Sequence, residues 1–239
     1  MDTPKLLLTV NLWTLVGQPS PEDEWTLAEK LAAIRGAGFP AVTGGAEAGP
    51  GFDALLRTHD LRYAGFFDAK DPAGFAGKIR ACRRLDDGPM NCQLADHDTS
   101  TAEALELAVE LMAEAKRQGA QVYLEVHRDT CTETPEKTAA LARAYRERTG
   151  EVLPLNFDFS HPAVIKHLDA GNYVERLLGE AEGALFPLSN LWHIRPFNGH
   201  HAQIPITAGD DFSVEYRALR PFLREAFRFW LASNPGHRE

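Results

Sequence analysis

The strongest constraint in this sequence is its rhythm: short apolar runs alternate with longer stretches of helical periodicity. The runs are Leu6–Trp13, Ala41–Gly44, Arg62–Asp68, Met90–Ala95, Gln121–His127, Leu153–Phe159 and Asn190–Pro196. Between the first two, Ser20-Pro21-Glu22-Asp23 reads as a helix start, with Ser as cap, Pro in the first turn and acids facing the helix dipole. Leu27, Leu31 and Ile34 follow at helical spacing, and Gly36 and Gly38 end the pattern. The clearest helices cover 100–118, where Ser100 and Glu103 make a capping box, and 134–148, where Pro135 follows Thr134. A last helix runs from about Phe212 to Trp230.

Strands alternating with helices imply a parallel sheet. A unit of about 30 residues repeated over 239 residues fits an eight-fold (β/α) barrel of TIM type. An open doubly wound sheet is the competing architecture, but no Gly-rich phosphate fingerprint follows the first run. One element is missing from the barrel pattern. After Trp230 the sequence is Leu-Ala-Ser-Asn-Pro-Gly-His-Arg-Glu, a poor strand, so the expected architecture is a barrel lacking its eighth strand. No linker or low-complexity segment divides the chain, and residues 1–239 are expected to form a single domain.

Charge and composition narrow the partners. The formal charge of −9 argues against nucleic acid, whose binders usually carry a basic stripe. The short basic cluster from Arg80 to Arg84 reads as a solvated helix face. Cys82, Cys92 and Cys131 form no CxxC pair, which suits reduced thiols in a cytoplasmic protein. No stretch approaches the roughly 20 apolar residues of a membrane span.

In a barrel of this type the site lies at the C-terminal ends of the strands. Polar residues recur there: Asn11 and Trp13, then Gln93 and His97, then Glu125, His127 and Arg128, then Asp158, Ser160 and His161, then His193 and Arg195. Alternation puts Tyr123, Glu125 and His127 on one strand face. Carboxylates and imidazoles gathered at one mouth repel or desolvate one another unless compensated, and a divalent cation (Mn, Zn, Co or Mg) compensates them well. Each residue also has a plainer role open to it. Glu125 suits an ion pair with Arg128 or Arg195, Asp158 a helix cap, His161 a turn before Pro162, and His193 a hydrogen-bonded core position. His97 suits a solvated loop, and Gly199-His200-His201 an adventitious metal site.

Four segments carry a family resemblance: 29–39 (Glu-Lys-Leu-Ala-Ala-Ile-Arg-Gly-Ala-Gly-Phe), 123–130 (Tyr-Leu-Glu-Val-His-Arg-Asp-Thr), 156–161 (Asn-Phe-Asp-Phe-Ser-His) and 193–195 (His-Ile-Arg). Together they resemble the xylose isomerase-like TIM-barrel superfamily of sugar isomerases, ketose 3-epimerases, hydroxypyruvate isomerase and endonuclease IV. The resemblance implies Glu125, Asp158 and His193 as metal ligands, with no counterpart to the family's final ligand Glu. It places His161, Arg195 and Gln203 toward substrate, with His127 and Trp13 beside them, and leaves Glu125 and His161 to move protons. The implied activity is isomerisation or epimerisation of a sugar or sugar phosphate through an enediolate. The alternatives are an endonuclease IV-like metal phosphodiesterase and a degenerate barrel that binds sugar or metal without turnover. A second copy of the chain, as in a homodimer, is one way to close the barrel.

Overall fold

The structure is a computed structural model describing residues 6–45, 49–179, 185–206 and 213–234. Seven strands form one sheet: β1 (Thr9–Asn11), β2 (Ala41–Thr43), β3 (Arg62–Ala69), β4 (Met90–Leu94), β5 (Val122–Glu125), β6 (Leu155–Asp158) and β7 (Ser189–His193). They lie in chain order, and every neighbouring pair is parallel. This is an α/β barrel of TIM type in which the described residues form seven strands and no eighth, and β1 and β7 do not pair with each other.

The helices are α1 (Leu27–Gly36), α2 (Phe52–Thr58), α3 (Pro72–Arg83), α4 (Thr101–Gln118), α5 (Pro135–Thr149), α6 (Ser160–Ile165), α7 (Tyr173–Leu178) and α8 (Val214–Ser233). The boundaries of α4 follow from local chemistry: Ser100 and Glu103 satisfy each other's backbone donors, and Gly119 at φ 63° accepts the left-handed turn that ends the helix. Helix α5 starts with a one-way cap, Thr134 Oγ1 accepting from the Lys137 backbone N–H with Pro135 in the first turn, and ends at Gly150 in the same left-handed turn.

The first helix differs from expectation. Ser20 caps only a short 3-10 turn, Pro21–Asp23, and α1 starts six residues later, where Thr26 and Glu29 form a full capping box. A reciprocal cap satisfies two orphan donors against one for Ser20, so the stronger signal sets the start. The first run is likewise shorter than its apolar extent. Only Thr9–Asn11 is strand, and Leu12–Leu15 turns into a 3-10 helix capped by Asn11. The Arg80–Arg84 cluster is a solvated face, with Arg83 bonded to Asp87. The three cysteines are buried and free. No described helix is long and apolar enough to cross a membrane. Phe212 and the residues after Asn234 lie outside the described residues.

Helix α8 packs against β7. Leu219, Phe222, Ala226 and Trp230 recur at helical spacing and are buried. The Trp230 indole N–H donates to the Ser189 carbonyl of β7 at 2.7 Å, and its ring meets Trp192 edge-on. This packing fixes β7 at the open edge of the sheet and so positions His193.

Candidate metal centre

Strand alternation and register build the site. Parallel pairing sets Glu125 beside Asn156 and Asp158 beside His193, and Asn91 and Gln93 project from β4 with the same period of two. Asn91, Glu125, Asn156 and Asp158 are buried in the barrel interior. Polar groups there must satisfy one another, and they form a chain. Asn156 Nδ2 donates to Asn91 Oδ1 at 2.9 Å, and Asn91 Nδ2 donates to Glu125 Oε2 at 2.6 Å. Gln93 Nε2 donates to the same Glu125 oxygen at 2.9 Å. Both amides therefore hold Oε2 and leave Oε1 aimed at β7.

There His193 Nδ1 lies 2.7 Å from Glu125 Oε1 and 3.3 Å from Asp158 Oδ2. Ligand atoms of Glu125, Asp158 and His193 all fall within 4.8 Å of one another, a cluster placed to coordinate a divalent cation. Two carboxylates and one imidazole suit a borderline or hard ion such as Mn²⁺, Zn²⁺, Co²⁺ or Mg²⁺. The electrostatics agree with the donor set. Burial alone would lower the His193 pKa, but the two carboxylates outweigh it and push it up to about 10. Burial would raise Glu125, but His193 draws it down to about 2, and Asp158 is held low by His193, His161 and Arg195. The His193 proton therefore occupies the position of positive charge that two buried carboxylates require.

Asp158 does two jobs. Its Oδ1 accepts from the Ser160 backbone N–H at 2.9 Å and from Ser160 Oγ at 2.5 Å, tying down the first turn of α6. Its Oδ2 pairs with Arg195, which also donates from Nη2 to Ser160 Oγ at 2.9 Å and to His161 Nε2 at 3.2 Å. Arg195 thus pairs with Asp158 and not with Glu125.

His161 lies wholly inside the site and stacks on His127, with ring centroids 3.8 Å apart. Burial depresses its pKa to about 4, so the ring is neutral near pH 7. His161 Nδ1 is buried without a hydrogen-bond partner among the described residues. His127 turns Nδ1 to the Arg128 carbonyl, which leaves Nε2 free. Glu125, His127 and His161 form a second group with metal-ligand spacing, sharing Glu125 with the first.

Above these residues opens a cavity of about 400 Å³. Trp13, Gln93, Glu125, His127, His161, His193, Arg195 and Gln203 all line it, so the structure brings together these residues singled out from the sequence, with Asp158 fully buried behind them against His193 and Arg195. Trp13 packs edge-on against Phe66 at 4.9 Å and forms an apolar wall. His97 does not join the site; it bonds Asp129 at 2.8 Å on the surface. His200 and His201 line the rim, their backbone N–H groups each donating to Asn198 Oδ1 at 2.9 Å. Sequence reasoning missed Asn91 and Asn156. The signal was present, since each lies two residues before a recognised polar residue on the same strand face.

No protein-family model matches the chain, and no curated protein does. Solved structures do match. A xylose isomerase-like TIM-barrel protein from Mycobacterium smegmatis in complex with magnesium superposes with a TM-score of 0.57 and 15% identity, covering 93% of this chain and 97% of that one. The probable 3-DHS dehydratase AsbF of Bacillus anthracis, involved in petrobactin synthesis, superposes with a TM-score of 0.50 and 15% identity, covering 79% of this chain and 73% of that one. At this identity the likeness shows the fold alone, a TIM barrel.

Proposed function

We propose that the chain, as one domain spanning residues 1–239, is a metal-dependent isomerase or epimerase of a small sugar or sugar phosphate, acting by proton transfer next to a carbonyl. The observation that carries this reading is the convergence of Glu125, Asp158 and His193 from three successive strand ends onto one cation-sized position under the cavity. The magnesium complex of the similar mycobacterial barrel is consistent with it.

In this mechanism Glu125, Asp158 and His193 would hold the cation, and Asn91 and Gln93, which donate to Glu125 Oε2, would keep the carboxylate oriented toward it. A divalent ion held there polarises a carbonyl and stabilises the negative charge that develops when a neighbouring proton leaves. Glu125 is the one carboxylate among the described residues that line the cavity. With Glu125 holding the cation, the imidazoles must carry the proton. His127 is the candidate base: its Nδ1–H donates to the Arg128 carbonyl and leaves the Nε2 lone pair for a proton, whereas the stacked His161 already accepts at Nε2 from Arg195 and assists only by packing against it. Arg195 orients a substrate oxygen, Gln203 offers an amide to a hydroxyl, and Trp13 with Phe66 covers an apolar sugar face.

The test is solvent exchange. Metal-loaded protein in D₂O, incubated with a panel of ketoses and their phosphates, is expected to place deuterium on the carbon next to the carbonyl of one of them. Tightly bound metal with no exchange across the panel would leave a binding barrel instead.

A second reading has its own observation. The Glu125–His127–His161 group gives the mouth more imidazoles than a single-ion isomerase site needs. Glu125, His127 and His161 would hold a further cation beside the first, and paired cations would supply the charge stabilisation that phosphodiester hydrolysis needs. Cleavage of a phosphodiester by zinc-loaded protein, without carbon-bound deuterium exchange, would favour it.

A further inference from the structure

The chain as a whole is acidic, with 34 acidic against 25 basic residues. The cavity inverts that balance. Its lining holds Arg128 and Arg195 together with five histidines, against Glu125 alone among acids. Both carboxylates of the site are already committed. Glu125 and Asp158 face His193, and together they balance the charge of one divalent cation. The two guanidinium charges therefore remain in excess at the mouth.

Both guanidinium groups also keep donors to spare. Arg195 uses Nε and Nη2 for Ser160, Asp158 and His161, and its Nη1 has no partner among the described residues. Arg128 makes no side-chain hydrogen bond or ion pair among the described residues, although surface arginines elsewhere on this acidic chain pair readily, as Arg62 does with Asp86. Arg128 sits three residues beyond the end of β5, directly after His127, and is exposed, so its head lies at the rim and not in the floor. His200 and His201 extend the same donor-rich rim.

We propose that this mouth selects an anion: the substrate is a hydroxy-carbonyl compound bearing a carboxylate or phosphate, and Arg128, together with Nη1 of Arg195, grips that charged group. The proposal rests on the isomerase reading above and names its substrate class. Guanidinium suits either anion, because its planar fork matches paired oxygens. A low-dielectric cleft of one sign also concentrates the opposite charge, which an otherwise acidic surface would repel.

The test uses the manganese-loaded 239-residue chain and three probes of one carbon skeleton and configuration: D-fructose, D-fructuronate and D-fructose 6-phosphate. Calorimetric titration is expected to show one anion binding at least about tenfold more tightly than fructose, which corresponds to about 1.4 kcal/mol. The carboxylate and phosphate arms decide which anion it is. Arg128→Gln is expected to remove most of that preference while bound manganese per chain stays unchanged. Equal binding of fructose and both anions, no detectable binding of either anion at millimolar concentration, or a preference that survives Arg128→Gln would each overturn the proposal. Deuterium exchange on the same samples separates the two ideas. Exchange without anion preference sinks this proposal alone, and anion preference without exchange sinks the isomerase reading alone.

Discussion

His193 makes a quantitative prediction about how the metal enters. In the metal-free protein its imidazole faces Glu125 Oε1 at 2.7 Å and Asp158 Oδ2 at 3.3 Å, and its pKa is pushed up to about 10. A histidine with the ordinary value of about 6.5 would be only about 3% protonated at pH 8, whereas one near 10 is about 99% protonated. A metal needs the neutral nitrogen. Each cation that binds at pH 8 must therefore expel about one proton, and the logarithm of the binding constant should rise by about one per pH unit between pH 7 and 9. Titration calorimetry with Mn²⁺ at pH 8, in two buffers of different ionisation enthalpy, reads the proton count directly. A count near zero would refute the argument. It would mean that Asn156 Nδ2, 3.1 Å from His193 Nε2, holds the ring neutral with its one proton on Nδ1, so that metal entry needs only a tautomer shift.

Other outcomes follow from the same geometry. Glu125→Gln keeps an oxygen for Asn91 and Gln93 but loses the charged ligand; metal affinity should fall by more than the roughly 10–100-fold typical of second-layer changes, with an unaltered circular dichroism spectrum and no deuterium exchange. Asn91→Ala removes one support of Glu125 and should weaken metal binding by about 10–100-fold, measured by competition with a chelating dye. Trp230→Ala empties the packing between α8 and β7 and should cost about 3–5 kcal/mol in urea unfolding. His161 sets an acid limit. Its folded pKa, about 4, lies below the unfolded value, so the unfolded chain takes up the proton first and stability should fall as pH drops from about 6.5 toward 4. His193 acts in the opposite direction in the metal-free protein: its contribution is complete below about 6.5 and is lost as pH rises through about 10. Melting temperatures across pH, with and without Mn²⁺, check both limits.

The strand order and the members of the first cation-sized cluster were legible in the sequence because both are written with a short period. Seven apolar runs became seven strands, and Glu125, Asp158 and His193 stood out because strand ends in this fold face a common mouth. Less legible was whatever depends on partners distant in sequence. Asn91 and Asn156 meet across 65 positions, and nothing local to either one announces a hydrogen bond. The start of α1 was misplaced because Ser20-Pro21 is a genuine cap, but one that supports a single turn before the chain bends into Thr26. Arg128 was noted only as a partner for Glu125; its lack of any acid among the described residues became visible once the cavity lining was assembled.

The packing of α8 over β7 has a further consequence, for solubility. A sheet that does not close presents a row of backbone donors and acceptors at each edge, and such edges recruit strands from other molecules. Here one edge is sheltered by a helix whose tryptophan already bonds a carbonyl of the edge strand, and the other is a strand of only three residues, Thr9–Asn11. An edge that short offers little template for pairing. The price of leaving the barrel open is thus kept small by α8, and a variant that loosened this helix would expose Trp192 together with the β7 edge. Its first symptom in the cell would be insolubility, ahead of any defect in the metal centre on the opposite side of the strand.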